Sequence, residues 1–66
     1  MEIRLNGEGR EVAEGTTVAD LLEEAGYAGR KVAVEVNREV VPRSRHGSQV
    51  LAAGDQVEVI HAIGGG

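Results

Sequence analysis

A single helical stripe constrains this chain more than any other feature. Val18, Leu21, Leu22 and Ala25 recur at i, i+3, i+4 and i+7, with Asp20, Glu23 and Glu24 on the other side, which is the pattern of one amphipathic helix. Thr17 stands at the capping position. Asp20, three residues on, completes a capping box and sets a carboxylate at the positive end of the helix dipole. Gly26 is placed to end the helix. One short helix cannot enclose a core alone, so its apolar face requires a sheet.

The rest of the chain supplies that sheet. Glu2-Ile3-Arg4-Leu5-Asn6 alternates polar and apolar residues, the period of a strand with one buried face. Asn6-Gly7 then tolerates the positive φ angles of a tight hairpin. A return strand is expected near Gly9 to Ala13, with Val12 as its only large aliphatic residue. Val32, Val34 and Val36 alternate with Ala33 and Glu35 as a third strand. Asn37-Arg38-Glu39 turns the chain, Val40-Val41 forms a short fourth strand, and Pro42 stops it by lacking a ladder donor. Arg43 to Ala53 reads as an irregular connection with one helical turn. Gly54-Asp55 turns again, and Gln56 to His61 alternates as the last strand. With the last strand beside the first, the expected fold is α+β: the β-grasp, or ubiquitin-like, layout. It has a mixed four- to five-stranded sheet with one main helix packed across it. Residues 1–61 form the domain, and 62–66 a flexible C-terminal tail.

Size limits how this fold is held together. A chain of 66 residues has room for one domain, which buries only roughly 60% of the surface its unfolded form exposes. There is no cysteine, so neither disulfides nor thiolate metal sites reinforce it. Aliphatic packing must suffice, from Ile3, Leu5, Val18, Leu21, Leu22, Val32, Val34, Val36, Val57 and Val59. Tyr27 is the only aromatic residue. The formal charge of −4 argues against nucleic acid as a partner, since that role needs a basic patch. No apolar run is long enough for a membrane span, and no signal segment opens the chain. A cytoplasmic protein, monomeric when free, is the expectation.

The residues that carry chemistry are few. Ser44, His46 and Ser48 lie close in sequence, but no third group is placed to orient the histidine as in a hydrolytic triad. His46 and His61 alone make a poor ligand set for a metal. Gly64-Gly65-Gly66 is not followed by the helix that a phosphate-cradling loop requires. A carboxylate at the end of the chain is the remaining candidate. It is a poor electrophile until adenylation supplies a leaving group that a sulfur or nitrogen nucleophile can displace. Glycines suit a segment that must enter a narrow partner channel, because they lack a Cβ and accept unusual dihedrals. Five residues from Ala62 reach about 16 Å when extended. A frayed terminus or a cloning remnant would look the same in isolation. In the last strand Val57, Val59 and His61 share one face and Gln56, Glu58 and Ile60 the other. If the valines point inward, Ile60 points outward beside Ile63 as a docking patch; a one-residue shift in register would reverse this.

Four segments together resemble the thiamine-biosynthesis sulfur carrier family: Ile3-Arg4-Leu5-Asn6-Gly7, Val36-Asn37-Arg38-Glu39-Val40-Val41-Pro42-Arg43, Gly54-Asp55-Gln56-Val57-Glu58, and the final Gly65-Gly66. The stretch from Asn37 to Arg43 is the most specific of them. The resemblance implies a carrier that catalyses nothing itself and binds no permanent cofactor. An adenylyltransferase consumes ATP to adenylate Gly66, a persulfide sulfur donor converts the adenylate to a thiocarboxylate, and thiazole synthase takes the sulfur. In that cycle Gly64 and Gly65 enter the partner sites, while Ile60 and Ile63 dock the domain. The family pattern requires two terminal glycines where this chain has three. A molybdopterin synthase small subunit shares the fold and the glycine end, but such chains commonly carry proline before the glycines and this one does not. A ubiquitin-like protein modifier would keep the activated terminus and join it to lysines.

Overall fold

The computed structural model describes residues 1–61. β1 (Glu2–Leu5) and β2 (Glu8–Glu11) form an antiparallel hairpin, and α1 (Val18–Glu24) follows. Then come β3 (Val32–Val36), β4 (Glu39–Val41), a 3-10 turn over Arg43–Arg45, and β5 (Gln56–His61). The sheet has five strands in the order β2-β1-β5-β3-β4. β5 therefore lies in the middle, parallel to β1 and antiparallel to β3.

Two tight turns set the register. Asn6 and Gly7 have φ of 52° and 86°, and Asn37 and Arg38 have φ of 52° and 69°. Both pairs make two-residue hairpin loops whose twist matches the strands, which requires positive φ at both central residues. The first loop brings Leu5 opposite Glu8 and Glu2 opposite Glu11. The return strand consequently ends at Glu11, not at Ala13 as the sequence suggested, because β1 has no residues left to pair. Val12 instead donates its N–H to the Met1 carbonyl at 2.9 Å and buries its side chain.

The helix is capped as its residues predict. Thr17 Oγ1 accepts from the Asp20 N–H, and Asp20 Oδ2 accepts from the Thr17 N–H, both at 3.1 Å. First-turn amides have no partner inside a helix. Here the irregular segment after β4 provides them: Val18 N–H donates to the Gln49 carbonyl at 3.0 Å and Ala19 N–H to the His46 carbonyl at 2.9 Å. His46 is itself buried, with its Nε2 3.0 Å from the Val41 carbonyl. At the other end Gly26, with φ of 87°, takes the chain out of the helix.

Val18, Leu21 and Leu22 press against Ile3, Val34, Val36, Val57 and Val59 on one face of the sheet. Val12, Val41 and Leu51 join this core from the loops and the edge strand. Leu5 and Val32, expected inside, are only partly buried at its margin. A helix of 7 residues spans only about 10 Å, too short to cover both ends of the sheet.

Arg38 is the residue most at odds with its backbone, since a Cβ in the left-handed region costs about 1–2 kcal/mol. Replacing Arg38 with Gly should stabilise the domain by about 0.5–1 kcal/mol after the entropy of the added glycine is allowed for. Thermal unfolding should show this as a rise of about 2–8 °C.

Candidate functional site

The site to be explained is the outgoing end of β5. A strand in the middle of a sheet has hydrogen-bonding neighbours on both sides, and β5 has β1 on one and β3 on the other. Its pairing with β3 runs from Val36 opposite Val57 to Val32 opposite His61. Its pairing with β1 is shorter, covering Arg4 opposite Gln56 and Leu5 opposite Val57.

Side chains extend the ladder where backbone runs out. Asn6, just past β1, accepts the Val59 N–H on its Oδ1 at 2.8 Å. Its Nδ2 lies 3.4 Å from the Tyr27 hydroxyl, and the Tyr27 ring meets His61 edge to face with centroids 5.2 Å apart. At the start of β5, Asn37 Nδ2 donates to Asp55 Oδ1 at 3.0 Å, and Asn37 Oδ1 accepts the Gln56 N–H at 3.0 Å. Asp55 Oδ2 in turn accepts the Ala52 N–H at 2.8 Å. Asn37 and Asp55 belong to two of the motif segments that are distant in sequence and adjacent here. Their work is to seat β5.

Within β5, Val57 and Val59 are buried while Gln56, Glu58 and Ile60 are exposed. Ile60 faces outward with 48% of its surface accessible, as the alternation suggested. His61, grouped by parity with the valines, is exposed instead, because it stands beyond the helix and leans on Tyr27. Ile60 does not stand alone. Ala33 is paired directly opposite it, and Lys31, Arg43 and His61 border the same shallow hollow. Sequence reasoning did not assemble this group, because the β3 to β5 register joins residues far apart in the chain. Ile63, Gly64, Gly65 and Gly66 lie outside the described residues.

Ser44 and Ser48 are exposed while His46 is buried with its Nε2 at the Val41 carbonyl, so the three do not converge on a reactive centre. His46 is a positioning group for the loop that caps the helix.

A hairpin, a crossing helix, and a final strand set between the first and third define a protein of the ubiquitin-like β-grasp class. A model of the ThiS family matches residues 3–66. A sulfur carrier protein ThiS of Escherichia coli is 32% identical over 66 residues, covering 100% of both chains. The chain belongs to the ThiS family. The crystal structure of a thiamine biosynthesis protein (ThiS) from Geobacter metallireducens superposes with a TM-score of 0.86 at 35% identity, again over 100% of both chains. A thiazole synthase of Magnetococcus marinus is 52% identical over 66 residues. That match takes in all of this chain, which spans only 20% of the synthase's length.

The Asn6 contact to Val59 yields a direct test. Asn6→Gly tolerates the positive φ but removes the acceptor, and should cost about 1–2 kcal/mol. The Val59 amide should then exchange with solvent faster than in the parent chain. Asn6→Asp retains an acceptor and should keep that amide slow.

Proposed function

We propose that this chain is a sulfur carrier for thiamine biosynthesis and that Gly66 bears the sulfur as a thiocarboxylate. The observation that carries the reading is the end-to-end match with a protein named as a sulfur carrier, over 100% of both chains. The fold supplies the mechanical reason. β5 is hydrogen-bonded to β3 as far as His61 and on its β1 side as far as Val59, so a segment continuing from it is presented from a fixed base. On this reading residues 1–61 are the handle and residues 62–66 the segment that enters partner sites, with Gly64 and Gly65 free of side chains that would obstruct entry.

The chemistry proceeds in two stages. The Gly66 carboxylate attacks the α-phosphorus of ATP within an adenylyltransferase, releasing pyrophosphate and leaving an acyl-adenylate. The terminal sulfur of a persulfide donor then attacks the acyl carbon and AMP departs, giving an acyl disulfide. A thiol cleaves that disulfide to the thiocarboxylate and is itself oxidised. Thiazole synthase is the acceptor, a role in keeping with the synthase that contains a portion matching this whole chain. The chain is thus a substrate for its partners and not itself an enzyme. A cytoplasmic setting with ATP at hand fits the cycle. Ile60, with Ile63 beyond it, meets the partner surface.

Intact-mass analysis tests the proposal. Incubation with an adenylating partner, ATP and a sulfur donor should exchange one oxygen for sulfur, and fragmentation should place the change on Gly66. Deleting Gly66 should abolish the exchange while leaving the melting temperature within about 1 °C, as expected for the loss of a single terminal residue. A wild-type chain that gains no sulfur from a partner able to charge another ThiS protein would overturn the reading.

A further inference from the structure

The helix closes on a residue that reaches the far end of β5. Gly26 N–H donates to the Glu23 carbonyl at 3.2 Å, and Tyr27 N–H to the Leu22 carbonyl at 2.7 Å. With Gly26 at a φ of 87°, this is the paired closure by which a left-handed glycine terminates a helix. The residue after that glycine packs back on the last turn, and Tyr27 lies partly buried against the core. Its carbonyl also accepts the Arg30 N–H at 3.0 Å. The backbone of Tyr27 is therefore held on both sides, and its ring leaves the helix end in a set direction.

That direction meets the place where β5 loses a neighbour. Odd-numbered residues of β5 turn their backbone groups toward β1. The Val57 carbonyl accepts the Asn6 N–H at 2.9 Å, and the Val59 N–H donates to Asn6 Oδ1 at 2.8 Å. Backbone groups alternate in direction along a strand, so the His61 N–H faces the same side. Among the described residues, no hydrogen bond from β1 or its turn reaches β5 beyond Val59. What stands there is the Tyr27 ring, its centroid 5.2 Å from that of His61 and its plane inclined at 72°. Aromatic quadrupoles favour this edge-to-face arrangement. On the opposite side β3 pairs Val32 with His61. The end of β5 thus lies between a backbone ladder and an aromatic prop. Asn6 links the two supports, because its Oδ1 is committed to Val59 and its Nδ2 donates to the Tyr27 hydroxyl at 3.4 Å. That bond is long, so the support rests on the ring and not on the hydroxyl.

We propose that Tyr27 is a positioning residue for the charging of Gly66: its ring, braced by the helix end, holds His61 and so sets the direction in which the chain leaves the sheet. The inference rests on the sulfur-carrier reading and adds a residue to it. Gly66 is the fifth residue beyond His61, at most about 16 Å along an extended chain. At that reach a swing of about 20° at the base moves the far end by about 5 Å, whereas a misplacement of about 1 Å already slows a reaction that depends on approach. Fixing the base narrows the set of positions open to Gly66. Tyr27 lies on the helix side of β5, away from the outer face around Ile60, so its action is on aim and not on docking.

Nitrogen-15 relaxation of the free chain and steady-state charging by an adenylyltransferase test this together. The His61 amide should have an order parameter near the rigid value of about 0.85 in the parent chain and below about 0.6 in Tyr27→Leu. Tyr27→Phe retains the ring and should keep that amide rigid. In Tyr27→Leu, kcat for pyrophosphate release should fall about three- to tenfold with KM within about twofold of the parent. Tyr27→Phe should match the parent in both. His61→Ala removes the contact from its exposed side and should reproduce the loss in kcat even where Tyr27→Leu folds poorly. The double variant Tyr27→Leu/His61→Ala should be no slower than either alone, since both act through one contact. A rigid His61 amide in Tyr27→Leu, an unchanged kcat in both single variants, or losses that multiply in the double variant would overturn the proposal and leave the carrier reading intact. A parent chain that cannot be charged would overturn the carrier reading and with it the role in charging; the relaxation data would still decide whether Tyr27 holds the strand end.

Discussion

The placement of β5 between β1 and β3 is the constraint from which the other features follow. An edge strand could peel away under the pull of a partner, because half of its backbone groups face solvent. A central strand must break two ladders at once. Here the ladders are unequal, since β3 accompanies β5 from Val57 to His61 whereas β1 reaches only Gln56 and Val57. Asn6 makes up the deficit at Val59, and Asn37 with Asp55 secures the other end. Short polar side chains can do this because each imitates a peptide carbonyl or amide at a place where the neighbouring strand has turned away.

Much of the architecture was legible because it rests on local rules. The helix and its box at Thr17 and Asp20 follow from spacing and hydrogen-bonding type, and the first turn follows from Asn6-Gly7, which tolerates positive φ at both positions; the positive φ at Arg38 has no such residue preference behind it. Ile60 pointing outward followed from alternation once the valines were taken as core. The errors fall where the answer depends on length or on distant neighbours. β2 stops at Glu11 because β1 is exhausted, a fact set by the partner strand. Val41 and Leu51 enter the core from segments without useful periodicity. His46 carries no sign of burial in the sequence, yet its ring is tied to Val41 and its carbonyl to the helix. The hollow shared by Lys31, Ala33, Arg43, Ile60 and His61 exists only after β3 and β5 are brought into register.

The residues that mark the family divide between two tasks. Asn6, Asn37 and Asp55 contact one another's strands and hold β5 in place; they act on position, not on chemistry. The glycines at the chain's end have no side chains and cannot supply recognition by themselves. Under the carrier proposal, recognition comes from the sheet surface close to His61, where holding the sheet also aims the residues beyond it. Ile60 sits at that place, exposed beside Ala33.

A small domain has little stability to spare, on the order of 3–10 kcal/mol at this length, so a repulsive pair on its surface, Glu35 directly opposite Glu58, calls for a physical account. The position of Glu35 and Glu58 makes the cost tolerable. They sit one pair in from the Val36–Val57 end of the β3 to β5 ladder, with Val34, Val36, Val57 and Val59 on the buried side. There the backbone is held by core packing that a few tenths of a kcal/mol of surface repulsion cannot disturb. The same pair on the short β2 edge, above weakly apolar residues, would fray the hairpin. Charge strain is thus confined to the part of the sheet best able to bear it.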